Sequence, residues 1–134
     1  MKTQNQLIII ASLVVLFTIS VGFNTTPQEK WTAPASADKV ENPLKGDEAA
    51  TTKGKKIYKQ MCAICHGMKG KGDGMAGSAL NPKPANFTKT EIQDETDGAI
   101  FWKMTEGRGN MVSYKETLSE TQRWQLVNFI RTFK

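Results

Sequence analysis

Both cysteines of the chain and its single histidine fall within five consecutive positions, Cys62-Ala63-Ile64-Cys65-His66. Thiols three positions apart stand about one helical turn apart, so each sulfur can reach one of the two vinyl groups of a single haem and bond it as a thioether. His66 follows the second thiol directly, which brings the iron of an attached macrocycle under an imidazole able to serve as proximal ligand. Three other chemistries use the same residue types. A thioredoxin-like dithiol requires a strand-helix-strand setting, and nothing around 62–65 supplies one. Zinc requires four ligands, and two cysteines with one histidine fall short. A structural disulfide fits an exported chain but gives no reason for a histidine at the very next position. Haem attachment is the reading that uses all of these side chains.

A ligand for the opposite side of the iron is sought among the methionines. Gly107-Arg108-Gly109-Asn110 breaks a helix and leads into Met111, on a loop able to bend around a planar cofactor and bring a thioether opposite His66. Met61 and Met104 fall on helical apolar faces, where methionine is more often filler, and Met104 is the next candidate after Met111. Met68 and Met75 follow His66 on a tether too short to reach the far haem face with ease. A ligating histidine also donates its other ring N–H to a carbonyl, and the proline segment at Pro82 or Pro84 is placed to offer one.

These residues need elements to hold them. Lys53 to Met61 reads as a helix with Gly54, Ile57, Tyr58 and Met61 on one face and Lys53, Lys55, Lys56 and Lys59 on the other. A glycine on an apolar helical face marks the close approach of another backbone. The expected partner is the last helix, Glu120 to Phe133, rich in apolar residues and opened by Ser119 with Gln122 in a capping box. The two ends of the domain should therefore cross. Glu95 to Glu106 reads as a further helix, and Gly67 to Pro84 as a loop. Gly70, Gly72, Gly74 and Gly77 mimic a phosphate loop, but no strand precedes them and no Lys-Ser/Thr pair closes them.

Lys2 precedes an uncharged apolar run of 17 residues, Leu7 to Phe23. It reads as an export signal, cleaved after Ser20-Val21-Gly22 or retained as an N-terminal membrane anchor within residues 1–23. In both cases the rest of the chain crosses the membrane, giving an exported, periplasmic protein, either free or held at the inner membrane. Residues 24–52 form a Pro/Ala/Lys-rich linker, or a strap that docks through Trp31, Pro34, Asn42, Pro43 and Leu44. Residues 53–134 then make one small domain, in which a covalent haem adds a large apolar body to a core that would otherwise be slight. The net charge of +5 comes with no mixture of stacking aromatics and a basic groove, so an acidic protein suits it better as partner than nucleic acid.

From about Lys53 to Phe133 the chain resembles the class I c-type cytochromes, small monohaem electron carriers. The likeness rests on the Gly54 and Tyr58 helix, the Cys62-to-His66 motif, Gly70 to Gly74, Pro82 to Phe87, the segment from Asp97 through Trp102 to Met111, and the Arg123-to-Arg131 helix. The later parts resemble a bacterial subgroup whose leaders can carry a Trp-x-x-Pro segment like that at Trp31. One departure is Val112, where the family often has proline. The resemblance implies an all-α, cytochrome c-like fold of three to five helices around one covalent haem c, with His66 and Met111 on the iron and no vacant position for a substrate. It implies an electron carrier rather than an enzyme, a monomer that meets acidic or membrane-bound redox proteins. The lysines at 53, 55, 56, 59, 69, 71 and 83 either form a steering ring around the haem edge or are simply solvated faces. The alternative is a haem enzyme or gas sensor with an open or displaceable sixth position, for which Arg108 is the only nearby distal acid-base group. A third reading makes the chain a detached domain of a larger dehydrogenase or oxidase assembly.

Overall fold

The computed structural model describes residues 30–134. Five helices form within them: α1 (Glu48–Met61), α2 (Ala63–His66), α3 (Thr90–Gln93), α4 (Asp97–Glu106) and α5 (Glu120–Ile130), preceded by a single 3-10 turn at Ala37–Lys39. The described residues hold no strand beyond an isolated bridge between Arg108 and Met111. The fold is all-helical, as expected.

Helix α1 begins at Glu48, ahead of the expected Lys53, because Asp47 caps it: the Asp47 carboxylate accepts from the Ala50 N–H at 2.9 Å. The extra turn, Glu48 to Thr52, lacks the large apolar residues by which periodicity is read, although Ala50 is buried. Helix α5 starts as expected, with Ser119 and Gln122 forming the full capping box, and stops at Ile130. Phe133, just beyond it, still packs on Tyr58 and Phe129 at ring separations of 5.2 and 5.0 Å.

Helices α1 and α5 meet backbone to backbone, and Gly54 makes this geometry feasible. A Cβ at Gly54 would lie 1.9 Å from the Gln125 carbonyl oxygen. One turn further along α1, Tyr58 is fully buried against Phe87, Phe129 and Phe133. On the other side of the core, Phe101 of α4 stacks on Trp124 of α5 at 3.9 Å.

Residues 30–47 run as a strap across α4 and α5. Gly98 lies directly under the Ala37 and Val40 carbonyls, where a Cβ would come within 2.0 Å and 2.7 Å of their oxygens. Asn42 donates to Asp97 at 2.9 Å and to Asn128 at 2.8 Å, and Asn128 returns a bond to the Leu44 carbonyl. Arg131 closes this polar cluster by donating to Asp97 at 2.7 Å.

The expectation of an exported, periplasmic chain, either free or held at the inner membrane, is corrected here as regards a membrane span. Among the described residues no helix is long and apolar enough to cross a membrane; the longest, α1, has 14 residues and carries Lys53, Lys55, Lys56 and Lys59. The run from Leu7 to Phe23, with its cleavage and anchoring alternatives, lies outside the described residues.

Alanine at position 54 would add about 1 kcal/mol of helix propensity and cost about 3 kcal/mol in forcing the helices apart. Gly54→Ala is therefore expected to lose about 2 kcal/mol, read as a lower midpoint in urea unfolding. A raised midpoint would show that the two backbones are not in contact.

Candidate functional site

The two thiols sit where α1 passes into α2. Cys62 ends α1, its N–H donating to the Tyr58 carbonyl at 2.9 Å, and its own carbonyl accepts from Cys65 N–H at 3.2 Å and His66 N–H at 2.9 Å. Those bonds wind Cys62, Cys65 and His66 into one turn. Both cysteines are free and half-buried. Burial, with a smaller contribution from Cys65, pushes the Cys62 thiol up to about 12. A redox dithiol needs the opposite, an attacking thiol with a depressed pKa. Among the described residues no group of three or more His, Cys, Asp or Glu is placed to hold a metal ion, so zinc has no support either.

His66 is 9% exposed, and its Nδ1–H donates to the Ala85 carbonyl at 3.1 Å. Burial lowers its pKa, against a smaller opposing effect from the Ala85 bond. The result is a neutral imidazole in fixed orientation with Nε2 left for a ligand. The ring stacks on Phe87 at 4.5 Å. The orienting carbonyl is thus neither Pro82's nor Pro84's. The Pro84 carbonyl faces Gly72, where a Cβ would meet its oxygen at 2.4 Å, and the next carbonyl, that of Ala85, turns to the imidazole.

The glycine-rich loop packs on the back of this turn. Gly72, Gly74 and Ala76 donate their N–H groups to the carbonyls of His66, Cys65 and Ile64 at 2.8, 3.1 and 3.0 Å. A Cβ on Gly74 would lie 2.4 Å from the Ile64 oxygen. These glycines let one backbone close off the C-terminal carbonyls of α2, which is why they resemble a phosphate loop without being one.

Met111 is half-buried against the core, on a turn closed by two bonds: Arg108 N–H to the Met111 carbonyl at 2.9 Å and Met111 N–H to the Arg108 carbonyl at 3.1 Å. Gly107 opens the turn at φ 70°, and a Cβ there would lie 2.6 Å from the Met111 oxygen. Three residues on, the Tyr114 hydroxyl donates to the Met61 carbonyl at 3.3 Å, and its pKa is raised by burial and then by Cys62 and Cys65. The segment carrying Met111 therefore runs over the attachment turn. Met104 is buried in the core, Met61 packs against it, and Met68 and Met75 are 60% and 82% exposed. Arg108, the group a distal acid-base role would need, lies over the Trp31 ring at 5.1 Å.

One residue escaped the sequence reading. Arg123, 8% exposed, directs Nη1 to the carbonyls of Tyr114, Lys115 and Leu118 at 3.3, 2.9 and 3.0 Å and lies over Phe101 at 5.1 Å. Its Nε is buried without a hydrogen-bond partner, and none of the ion pairs among the described residues includes it. In sequence it is an arginine in the first turn of a helix, a position that gives no sign of burial.

An all-helical shell around two free thiols and a neutral, oriented imidazole has a donor set that suits a covalent haem. The family model described as cytochrome c oxidase, cbb3-type, subunit III matches residues 49–130, and the chain belongs to that family. It is a c-type cytochrome domain, its cofactor is covalently bound haem c, and it serves haem-based electron transfer. Among solved structures it is similar to a chain of the reducing HAO-like protein complex of Kuenenia stuttgartiensis, with 29% identity and a TM-score of 0.61. The match covers 70% of this chain and 49% of that one, so the chain spans about half the length of that relative. No match is found among curated proteins.

Arg123→Met would strip three carbonyls of a donor, and a loss of about 3 kcal/mol is expected in denaturant unfolding of the holoprotein. An unchanged midpoint would mean that water replaces the guanidinium at no cost.

Proposed function

We propose that the chain is a monomeric single-haem electron carrier in which Cys62 and Cys65 form the two thioethers and His66 Nε2 and Met111 Sδ bind the iron. The observation that carries this reading is the buried imidazole of His66, oriented by Ala85 at 3.1 Å within the same turn as two free thiols. When bound, the haem supplies a centre that changes charge by one electron. The residues around it do the rest. Ala85 fixes the tautomer of His66, and the two-bond Arg108–Met111 turn holds a soft thioether that favours the reduced ion. Ile100, Leu118 and Trp124 keep water from the core. The haem-bearing domain is assigned to residues 53–134, with 48–52 extending its first helix.

The partner is an acidic redox protein. Lys53, Lys55, Lys56, Lys59, Lys69, Lys71 and Lys83 are all exposed. A surface cavity of about 700 Å³ beside the attachment turn is lined by two lysines, Lys59 and Lys69, against one carboxylate, Asp73, together with the exposed side chains of Ile64, Met68 and Met75. An apolar centre with a basic rim suits a partner patch of the same shape and opposite charge.

Ligation is tested with Met111→Leu. The wild-type oxidised protein should show the absorption band at the red end of the spectrum typical of methionine-ligated haem, and its reduced form should not bind carbon monoxide. The variant should lose the band and gain the binding; a variant indistinguishable from wild type would remove Met111 from the iron. Docking is tested with the pair Lys59→Glu and Lys69→Glu, which should slow reduction by an acidic redox protein about tenfold at low salt, with the difference shrinking as salt rises. Equal rates at every ionic strength would discard this face.

A further inference from the structure

The strap ends on the methionine turn. Trp31 meets Trp102 edge to face at 6.5 Å, and the Arg108 guanidinium and the Lys103 ammonium lie over its ring at 5.1 and 5.8 Å. Arg108 is also the residue whose N–H and carbonyl both bond to Met111. One residue thus faces an indole with its side chain and grips Met111 with its backbone.

An aromatic ring can restrain a guanidinium only if the ring itself is held, and the strap behind Trp31 is pinned repeatedly. Pro34 accepts from Ala37 N–H at 2.8 Å, Ala37 is buried, and its carbonyl presses on Gly98. Thr96 donates to Asp38 at 2.8 Å, and Asn42 reaches Asp97 and Asn128. The Glu95–Lys103 ion pair, with side chains only 17% and 13% exposed, fixes the second cation on the ring. Beyond Met111 the chain has Val112, whose ring-free backbone does not stiffen the loop as proline would. Restraint comes instead from the other side of the turn.

We propose that Trp31 is a positioning residue for the axial methionine: by holding the Arg108 side chain it fixes the turn that carries Met111, and the strap thereby keeps the thioether on the iron. This rests on the assignment of Met111 as ligand. Trp31 touches neither iron nor substrate; its effect passes through Arg108.

The test uses the full-length holoprotein with imidazole as the probe, since imidazole competes with methionine for oxidised iron. Trp31→Ala should bind imidazole about tenfold more tightly than wild type, as judged by loss of the red-end band, because a freed turn gives up methionine more readily. Trp31→Phe, which keeps a ring face, should recover most of the wild-type resistance. Arg108→Gln, with the strap intact, should resemble Trp31→Ala, and the double variant should be no worse than either alone. Helical circular dichroism should give all four variants the wild-type fold at the temperature of the titration. Wild-type imidazole affinity in Trp31→Ala, failure of phenylalanine to rescue, or additive effects in the double variant would each overturn the proposal. Failure of the underlying ligation reading looks different: the wild type itself would lack the red-end band, and Met111→Leu would not change the spectrum.

Discussion

Helix α1 carries the Cys62-to-His66 turn at its end and α5 grips, through Arg123, the turn that follows Met111, so the position of one helix on the other sets where those two segments lie. Their contact is set by two backbones at Gly54 and Gln125, with no side chain between them to yield. Tyr58 transmits this placement along α1, since its ring is locked among Phe87, Phe129 and Phe133 while its hydroxyl donates to the Gly67 carbonyl at 2.8 Å, just past His66. Arg123 transmits it along α5, two residues before Gln125, by gripping the turn from Tyr114 to Leu118. A backbone contact is hard to deform, which suits a fold that holds segments from opposite ends of the domain in fixed register.

A helix of four residues such as α2 has little stability of its own, because every carbonyl in it belongs to an end. Here the supporting bonds come from elsewhere in the chain. The glycine loop donates to the carbonyls of Ile64, Cys65 and His66, and the following extended segment offers the Ala85 carbonyl to the imidazole. Loop and turn form a single unit: displacing Gly74 or Gly72 would disturb the segment that orients His66. The strap plays the same part for α4, pressing on Gly98 and tying Asp97 to α5 through Asn42 and Asn128.

What could be read from the sequence divides by how local its cause is. The turn from Cys62 to His66, the capping box at Ser119 and the crossing marked by Gly54 rest on neighbours within a turn or on one apolar face, and the structure has the cap and the crossing where the pattern puts them. The carbonyl that orients His66 lies 19 residues away and is chosen by the packing of Pro84 on Gly72, so two prolines were the best that sequence could offer. Asn42 meets partners 55 and 86 residues on, and no spacing rule announces such a pair. Helix α1 starts early because Asp47 caps a stretch of small residues, and Arg123 is buried because its donors find carbonyls, not because it sits on an apolar stripe.

Charge enters this molecule at two depths, and they act on different quantities. The exposed lysines lie in water and salt, where their influence fades over about 10 Å, so they bear chiefly on encounters with other proteins. Arg123 is enclosed, without a carboxylate among the described residues to offset it, and its field reaches the core with much less screening. Under the ligation proposed above, with a neutral imidazole and a neutral thioether on the iron, oxidation would add one positive charge, and a buried guanidinium in the same domain would oppose that gain. Surface and buried charge therefore differ in how far salt can act on them. Salt reaches the first and hardly touches the second.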